Sequence, residues 1–515
     1  MPQNLKKRFS ATRIACGKDD AAIEARYTRL DGQCNLSIKP RDFRLPSEKD
    51  RDRLVYAYSF RRLGEITQVI PRERGCLLHN RLTHTLKVAQ LARRIAERLL
   101  SADDGFHHNE TIDLANELGG LDPNVVETAA LAHDLGHPPF GHIIEEFLDS
   151  KIKGEASDGF EGNAQTFRII TYLEGRHVDS TKDFGLNLTY ASLNATIKYP
   201  WQRDVRPKAT GKRAHKYGYY SQIDPDKEHF KKVRAAFDQN WQNDRRSLEA
   251  EIMDWADDIA YAVYDIEDFY RGGLIPLDKL LKEAFNNPKV KAHEDSENEW
   301  SFFYTETRAR WESQGRDQKD IDALSDSFAG LQEFLRSICV SPKGLDSESA
   351  KKISVELLPL FLSYRATHAQ RHACALLTSG LVERFVNAIA LNEKAITNQV
   401  PRVSIDPESK KVVSLLKELT WTYIIDVPDL HAMQHGHRCI VETVFDELEQ
   451  APTSDINLLP RTVRDLAGDD LFDGPKRRRS ICDIISSMTE AQIMDLYVRL
   501  SGVSPGSLLR NGYPS

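Results

Sequence analysis

The 515-residue chain lacks several features, and each absence excludes a class of protein. No apolar run approaches the roughly 20 residues that a membrane-spanning helix needs, so we expect no transmembrane segment. The N-terminus has basic residues without an apolar stretch behind them, which predicts no secretory signal. The cysteines form no CxxC pair and no regular framework; the seven stand at 16, 34, 76, 339, 374, 439 and 482. An odd, scattered set favours reduced thiols, and therefore a cytoplasmic protein.

The chain also lacks excess positive charge, internal repeats and convincing alternating strands. Its 70 Lys and Arg residues against 77 Asp and Glu residues give a net charge of −7, so no general polyanion-binding surface is expected. Only "PRVSIDP" and "WTYIIDV" suggest short strands. Apolar residues make up 40% of the chain, which is typical of a soluble protein with a large core.

Helical periodicity dominates instead, and it predicts a mainly α fold. Within residues 84–100, apolar residues recur at 86, 88, 91, 95 and 99, close to one every ~3.6 residues. Residues 248–273 repeat this pattern and end on Gly272-Gly273, which is typical of a helix C-terminus. Residues 354–392 predict two more helices, joined near Ser379-Gly380.

The most unusual stretch is "HDLGHPPFGH", residues 133–142. An imidazole beside a carboxylate, as in His133-Asp134, suits a divalent cation. Pro138-Pro139 predicts that the helix carrying this pair ends just after His137, with a metal site at its last turn. The alternative is a capping aspartate beside a core histidine.

Two other segments strengthen the metal interpretation. His84 stands near the start of an amphipathic helix. Three residues spaced by four share one helical stripe: Asp257, Tyr261 and Asp265. A solvated acidic face is the alternative; it suits Asp254 and Asp268 better than a stripe that includes a tyrosine.

The order His, His-Asp, Asp resembles the metal site of the HD superfamily of metal-dependent phosphohydrolases. Within that superfamily, "HDLGHPPFGH" is similar to the signature of the dGTPase family, the deoxynucleoside triphosphate triphosphohydrolases. Further blocks resemble this family in its order: "SFRRLGEITQV", "NRLTHTLKVAQLAR", "FEGNAQTFRI", "GLNLTYASLNATIKYPW", "ADDIAYAVYDIED" and "RRRSICDIISSMTEAQ". The resemblance implies an HD-domain helical fold with additional helices and few short strands.

The resemblance also implies a divalent metal ion, which would be Mn²⁺, Mg²⁺ or Fe²⁺. Its implied ligands are His84, His133, Asp134 and Asp257, with Asp258 as the register alternative to Asp257. Two histidines and two carboxylates would leave positions for water and a phosphate oxygen.

The implied reaction is hydrolysis of dGTP, or of dNTPs more broadly, to deoxynucleoside and tripolyphosphate. Metal-activated water would attack the α-phosphorus, and an acid would protonate the departing 5′-oxygen. His142 is the candidate acid, Glu145 would orient it, and His137 would lie against the phosphates. Packing or helix capping is the alternative for both histidines.

The resemblance assigns substrate contacts as well. Arg81 and Lys198 would bind the triphosphate, whereas Gln68 and Asp265 would contact the 3′-hydroxyl. The other implied contacts are Tyr261 beneath the deoxyribose, Tyr199 at the border of the nucleotide site, and Asn163, for which a phosphate contact and a structural hydrogen bond stay open. Nothing in these blocks reads the base, and dGTP ranks first because the resemblance is to the longer bacterial members.

Two other functions stay open. One is another HD phosphohydrolase, a nucleotidase or phosphodiesterase, and the other is a dNTP-sensing protein that binds single-stranded nucleic acid. The family also implies a homo-oligomer, commonly a hexamer, and a nucleotide or single-stranded DNA as effector. No membrane partner is expected.

Three parts are predicted along the chain. Residues 1–50 would form an N-terminal extension, residues 51–275 an HD-type catalytic core, and residues 276–515 a helical region that packs on the core and takes part in subunit contacts. The polar segment 202–245 is predicted to be an insertion of loops with a short polar helix. The basic run "PKRRRS", 475–480, is typical of a solvated loop, although it could contact nucleic acid or an effector's phosphates.

Overall fold

The chain is described by a computed structural model covering residues 14–34, 36, 42–70, 78–101, 108–153, 158–175, 184–203, 216–223, 225–286, 298–340, 354–450 and 474–502. It confirms the mainly α fold. Strand pairing in these ranges is limited to one small antiparallel sheet, apart from isolated bridges. Among the same residues, no helix combines the length and the hydrophobicity needed to cross a membrane.

The described residues up to 271 form eleven helices. They are α1 (Asp20–Tyr27), α2 (Pro46–Val55), α3 (Tyr58–Arg62), α4 (Arg81–Leu100), α5 (His108–Glu117), α6 (Pro123–Ala132), α7 (His142–Ile152), α8 (Gly162–Arg168), α9 (Tyr190–Thr196), α10 (Asp226–Ala235) and α11 (Leu248–Arg271). A 3₁₀ turn over Leu63–Glu65 follows α3, and a π turn over Ile169–Leu173 extends α8.

Nine further helices and the sheet follow in the described residues after 271. They are α12 (Leu277–Asn286), α13 (Glu299–Ser313), α14 (Gln318–Asp322), α15 (Leu324–Val340), α16 (His368–Asn387), β1 (Ile389–Leu391), β2 (Val403–Ile405), α17 (Pro407–Thr420), α18 (Pro428–Gln450), α19 (Gly474–Ser487) and α20 (Glu490–Leu500). Short 3₁₀ turns cover Leu358–Phe361 and Glu393–Ala395, and a π turn covers Trp421–Ile425. In the sheet, Ile389 pairs with Ile405 and Leu391 with Val403.

The centre of the main core is formed by α4, α6 and α11, which pack on one another. Along α4, Val88, Leu91 and Ile95 are buried as the predicted stripe requires. Leu86 is 49% exposed, so its inclusion in that stripe was wrong. Residues at positions i and i+2 of a helix project about 200° apart, and Leu86 therefore cannot lie on the same face as Val88.

A second hydrophobic cluster joins α7 to the C-terminal helices. Ile144, Phe147 and Leu148 of α7 pack against Phe445 of α18 and Ile485 of α19. The burial of such side chains contributes about 1.5–3 kcal/mol each relative to exposure. The helix that follows "HDLGHPPFG" is thereby fixed to residues about 300 positions later.

Several local predictions are corrected. "WTYIIDV" is not a strand: α17 continues into the π turn, with the Asp426 N–H bonded to the Trp421 carbonyl. Its aromatic and β-branched residues favour a strand, but helix packing overrides that preference. One helix, α16, runs through Gly380 where two helices were predicted, and the chain then forms β1.

The basic run at 475–480 lies in α19 and is not a solvated loop. Arg479 is buried, its guanidinium stacks 3.9 Å from the Tyr220 ring centroid, and it donates to the Gly159 carbonyl. Arg478 is paired with Glu449. The contact with Tyr220 connects α19 to the polar segment that was predicted as an insertion.

Candidate active site

Three predicted metal ligands converge, two of them from helices and one from the end of a third helix. His84 lies in the first turn of α4, His133 follows α6 directly, and Asp257 lies in the middle of α11. Their potential ligand atoms all lie within 4.8 Å of one another. The Asp257 Oδ1 is 3.2 Å from the His84 Nε2 and 3.6 Å from the His133 Nε2.

The fourth predicted ligand, Asp134, borders the same space with one oxygen. Its Oδ1 is 3.5 Å from the His133 Nε2 and 3.2 Å from the His137 Nε2. Its Oδ2 accepts a hydrogen bond from the Arg81 guanidinium at 2.8 Å. Burial opposes the charge of Asp134, but His133 and Arg81 hold the pKa of its carboxyl well below the ordinary value.

Asp257 and Asp258 point in different directions. Asp258 bonds at 2.6 Å to Lys417 of α17. Asp257 faces the histidines. Adjacent helical residues project about 100° apart, so only one of the two can face the histidines.

The arrangement fits a divalent cation. The His133 Nε2 is buried and has no hydrogen-bond partner among the described residues, while its Nδ1 contacts the Ala130 carbonyl at 2.6 Å. This orientation presents Nε2 to the cluster. Burial would lower the pKa of His133, yet Asp134 and Asp257 raise it to about 9. Carboxylates that favour a proton at this position would also favour a metal cation.

The helix before the His-Asp pair ends earlier than predicted. Its last residue is Ala132, and residues 133–136 form turns, so Pro138-Pro139 does not terminate it. Close packing fixes this turn at Gly136, whose N–H bonds to the Thr166 hydroxyl at 2.9 Å. A Cβ at Gly136 would lie 2.0 Å from the Gly162 carbonyl oxygen. This clash excludes every residue except glycine at this position.

The candidate acid lies at the start of the next helix. His142 is the first residue of α7, and its Nδ1 is 2.9 Å from the Glu145 Oε2. The His137 Nδ1 is 3.8 Å from the same oxygen. Burial opposes charge on Glu145, but Lys216 and His142 hold its pKa well below the ordinary value. Burial and Arg81 lower the pKa of His137 to about 4, which leaves His137 neutral at pH 7.

Lys216 is a site residue that the sequence did not reveal. Its ammonium lies 2.7 Å from the Glu145 Oε1 and 3.1 Å from the Glu161 Oε1. Both partners come more than 50 residues earlier, and Lys216 stands in an unpatterned polar segment. No motif or periodicity of that segment could have identified it.

Lys198 lies beside the metal cluster. Its ammonium is 3.0 Å from the Asp257 Oδ2 and 2.7 Å from the Asp254 Oδ1. Asp254 also pairs with Arg246 at 2.6 Å, so it is not the solvated surface acid that the sequence suggested. Burial opposes the charge of Lys198, yet the two aspartates raise its pKa well above the ordinary value.

The sugar-contact candidates leave polar oxygens without partners. The Gln68 Oε1 and the Asp265 Oδ2 are buried and accept no hydrogen bond from the described residues. Burial and the neighbouring carboxylates of Asp268 and Asp257 raise the pKa of Asp265 well above the ordinary value. Asp268 is buried and bonded to His79, so its interpretation as a solvated acid was also wrong.

The remaining candidates have protein contacts. Tyr261 lies on the same helix as Asp257 and Asp265, with the Lys417 ammonium 5.8 Å from its ring centroid. Tyr199 packs edge-on against Trp201 with ring centroids 5.5 Å apart. The Asn163 side-chain amide donates to Glu161 at 2.8 Å, which is the structural hydrogen bond that the sequence left open.

Helical packing around a His-and-Asp cluster, with a histidine–carboxylate pair at the next turn, defines a phosphohydrolase of the HD type. Residues 81–197 match the family model described as HD domain, and residues 403–499 match the one described as phosphohydrolase-associated domain.

Similar proteins identify the family within that class. The chain is 33% identical to a deoxyguanosinetriphosphate triphosphohydrolase-like protein of Corynebacterium efficiens over 90% of this chain and 93% of the relative. A protein of the same name from Streptomyces coelicolor is 28% identical over 88% and 92%. The chain belongs to the deoxyguanosinetriphosphate triphosphohydrolase-like family, as the sequence motifs predicted.

Proposed function

We propose that the chain hydrolyses deoxynucleoside triphosphates, with dGTP ranked first, to deoxynucleoside and tripolyphosphate. The observation that carries the proposal is that residues 133–145 join two groups, because His133 belongs to the cluster with His84 and Asp257 and His142 pairs with Glu145. A His-and-Asp cluster suited to a cation stands on one side of a turn, and the His142–Glu145 pair stands on the other. The names of the relatives support dGTP as the first substrate to test.

We infer that His84, His133, Asp134 and Asp257 hold the divalent ion, which would be Mn²⁺, Mg²⁺ or Fe²⁺. When bound, the ion would polarise the α-phosphate and lower the pKa of a water molecule. Arg81 and Lys198 each contact one of these carboxylates, so both lie where a triphosphate bound to the ion would extend. Their positive charges would offset the charge of the phosphates.

His142 is proposed to protonate the departing 5′-oxygen. Its Nδ1 is engaged by Glu145, which leaves Nε2 as the nitrogen that delivers the proton. The contact with the carboxylate fixes the orientation of the ring, as an acid in this role requires. Neutral His137, between Asp134 and Glu145, would donate a hydrogen bond to the phosphates.

Deoxyribose recognition is proposed to involve neutral groups. The unpartnered Gln68 Oε1 can accept a hydrogen bond from the 3′-hydroxyl. A protonated Asp265, consistent with its raised pKa, can donate or accept one. Tyr261 would lie beneath the sugar and oppose a 2′-hydroxyl by its bulk. The Asn163 amide is engaged with Glu161, which favours a structural contribution from this residue.

A substrate panel with product identification tests this function. The purified chain is incubated with each dNTP, and with GTP, in the presence of Mn²⁺, Mg²⁺ or Fe²⁺. Chromatography should detect deoxynucleoside and tripolyphosphate in equal amounts, with GTP hydrolysed more slowly than dGTP. Release of orthophosphate or pyrophosphate would contradict the proposal and favour another HD-type hydrolase. Asp134→Ala should abolish both metal binding and turnover.

A further inference from the structure

One carboxylate of the C-terminal region contacts two loops of the site at once. Glu490, the first residue of α20, accepts hydrogen bonds from the Thr67 backbone N–H at 2.8 Å and the Thr67 hydroxyl at 2.7 Å. It also accepts one from the Phe140 backbone N–H at 3.1 Å. Thr67 directly precedes Gln68, and Phe140 stands two residues before His142. Glu490 therefore connects the loop with the sugar-contact candidate to the loop with the candidate acid.

The loop before His142 is conformationally strained. Phe140 has a φ of +63°, a left-handed conformation that residues with a side chain seldom adopt, and Gly141 follows with a φ of +75°. Such a conformation persists only where the surroundings hold it. Glu490 binds the Phe140 N–H, and His437 of α18 stacks on its ring with centroids 4.2 Å apart. Both contacts come from the C-terminal region.

Arg62 provides a second link between the same parts of the chain. Its buried guanidinium donates to the Leu135 carbonyl at 3.2 Å, the His137 carbonyl at 2.7 Å and the Met488 carbonyl at 2.7 Å. The segment 488–490 is thus connected to the histidine turn directly by Glu490 and indirectly by Arg62. Packing of α7 on α18 and α19 adds a third connection.

Thr67, the other residue that Glu490 contacts, is also held in place by the structure around it. Thr67 forms an isolated antiparallel bridge with Asn80, and Asn80 caps the helix that begins at Arg81 and carries His84. A shift of Thr67 would therefore move the backbone of Gln68 relative to the metal cluster. The Gln68 Oε1 has no hydrogen-bond partner of its own in the described structure that would resist this shift.

We propose that Glu490 is a positioning residue for hydrolysis, which sets the backbone of the His142 loop and of Gln68 together. It rests on the proposed function, in which His142 is the acid and Gln68 contacts the sugar. The C-terminal region thereby completes an active site whose other named residues lie before residue 270. Glu490 acts through backbone hydrogen bonds, so its capacity to accept them matters more than its charge.

Variants of Glu490 in the full-length chain test this role. With Mn²⁺ and dGTP, Glu490→Ala should lower kcat by roughly 10- to 100-fold, the range that misplacement of a catalytic group produces. It should also raise KM through Gln68. Glu490→Gln keeps an acceptor for the two backbone N–H groups and should restore most of the activity. The matched control is Asp495→Ala, which removes an exposed carboxylate from the same helix and should leave kcat unchanged.

A double-mutant cycle separates positioning from general destabilisation. If Glu490 acts on kcat through the acid, adding Glu490→Ala to His142→Asn should cause little further loss of kcat. Two effects that multiply fully would overturn the proposal. So would a Glu490→Ala variant that keeps its kcat, or one whose loss Asp495→Ala reproduces. Should Glu490→Ala fail to fold, Glu490→Asp keeps the charge but is one methylene too short to reach both loops, and it should show the same change.

Amide hydrogen exchange provides a readout independent of turnover. The Thr67 and Phe140 amides should exchange faster in Glu490→Ala than in the wild type and in Asp495→Ala. Unchanged exchange would overturn the positioning role even where kcat falls. A wild-type chain that releases no tripolyphosphate from any dNTP would overturn the proposed function itself, whereas an active wild type with a fully active Glu490→Ala variant would overturn this inference alone.

Discussion

At the scale of single residues, the composition of the metal cluster depends on which of two adjacent aspartates faces the histidines. Asp257 contacts His84, whereas Asp258 is bonded to Lys417. Asp257→Asn should therefore weaken Mn²⁺ binding by at least about 10-fold, because second-shell changes alone have effects of that size. Asp258→Asn is the matched control and should keep its metal affinity. Isothermal titration with Mn²⁺ measures the affinity of both variants. Weaker binding in Asp258→Asn than in Asp257→Asn would mean that Asp258 is the ligand.

The proposed acid can be separated from the metal site by a single substitution. His142 is 67% exposed at its side chain and contacts Glu145 rather than the ligand cluster. His142→Asn should lower kcat by about 10²- to 10⁴-fold, the typical contribution of general acid catalysis, while Mn²⁺ affinity is retained. Parallel kinetics and titration provide the measurement. Loss of Mn²⁺ binding in this variant would mean that His142 is a ligand and not the acid.

Positions of single residues can be predicted from the sequence where neighbours along a helix carry the information. The spacing of Asp257, Tyr261 and Asp265 predicted a shared stripe, and the structure brings Asp257 to the histidines. Asp254 and Lys216 were missed or misinterpreted, because their environment is formed by residues distant in the sequence. Asp254 forms ion pairs with Lys198 and Arg246, and no local pattern of α11 predicts these partners.

At the scale of elements, the turn between α6 and α7 depends on its contact with α8. A methyl group at Gly136 would collide with the backbone of Gly162 and Thr166, at 2.0 Å and 2.3 Å. Gly136→Ala should destabilise the fold by about 3 kcal/mol or more, at the upper end of overpacking costs, and should weaken metal binding. Thermal unfolding with and without Mn²⁺ measures both effects, and an unchanged melting temperature would show that the turn tolerates a side chain.

The control for that substitution lies in α16. Gly380 is exposed in the helix interior, and an added Cβ would meet nothing within 4 Å. Gly380→Ala should stabilise the chain by about 0.5–1 kcal/mol, since alanine restricts the unfolded backbone and favours the helix. A lower melting temperature for this variant would contradict the continuous helix from 368 to 387.

Elements with strong periodicity were predicted well, and irregular ones were not. The pattern over 248–273 matches the helix Leu248–Arg271 within two residues. The end of α6 at Ala132 was missed because Pro138-Pro139 offers a strong stop signal, while the actual constraint is the packing of Gly136 on α8. The strand prediction for "WTYIIDV" failed because a π turn uses the same aromatic and β-branched residues.

At the scale of the whole molecule, the histidine turn lies between two cores. The main core carries the metal cluster, and the second cluster holds α7 against the C-terminal helices. Packing of the C-terminal region on the catalytic part was predicted from the sequence. The contact of Glu490 with Phe140 was not, because it joins positions 350 residues apart and no local pattern indicates it.

Assembly stays a prediction of the family resemblance. We expect a homo-oligomer, commonly a hexamer, with a nucleotide or single-stranded DNA as effector. Light scattering coupled to size exclusion, with and without dNTP, should give a mass of several times 58.6 kDa. A mass of one chain under every condition would contradict the expected assembly without affecting the proposed chemistry.

We propose that water attacks the α-phosphorus of a deoxynucleoside triphosphate in this site. Hydrolysis of dGTP in ¹⁸O-labelled water tests it most directly, with the products analysed by mass spectrometry. Attack at the α-phosphorus should place one ¹⁸O atom in tripolyphosphate and none in deoxyguanosine. Label in the deoxyguanosine 5′-hydroxyl, or in released orthophosphate or pyrophosphate, would contradict it.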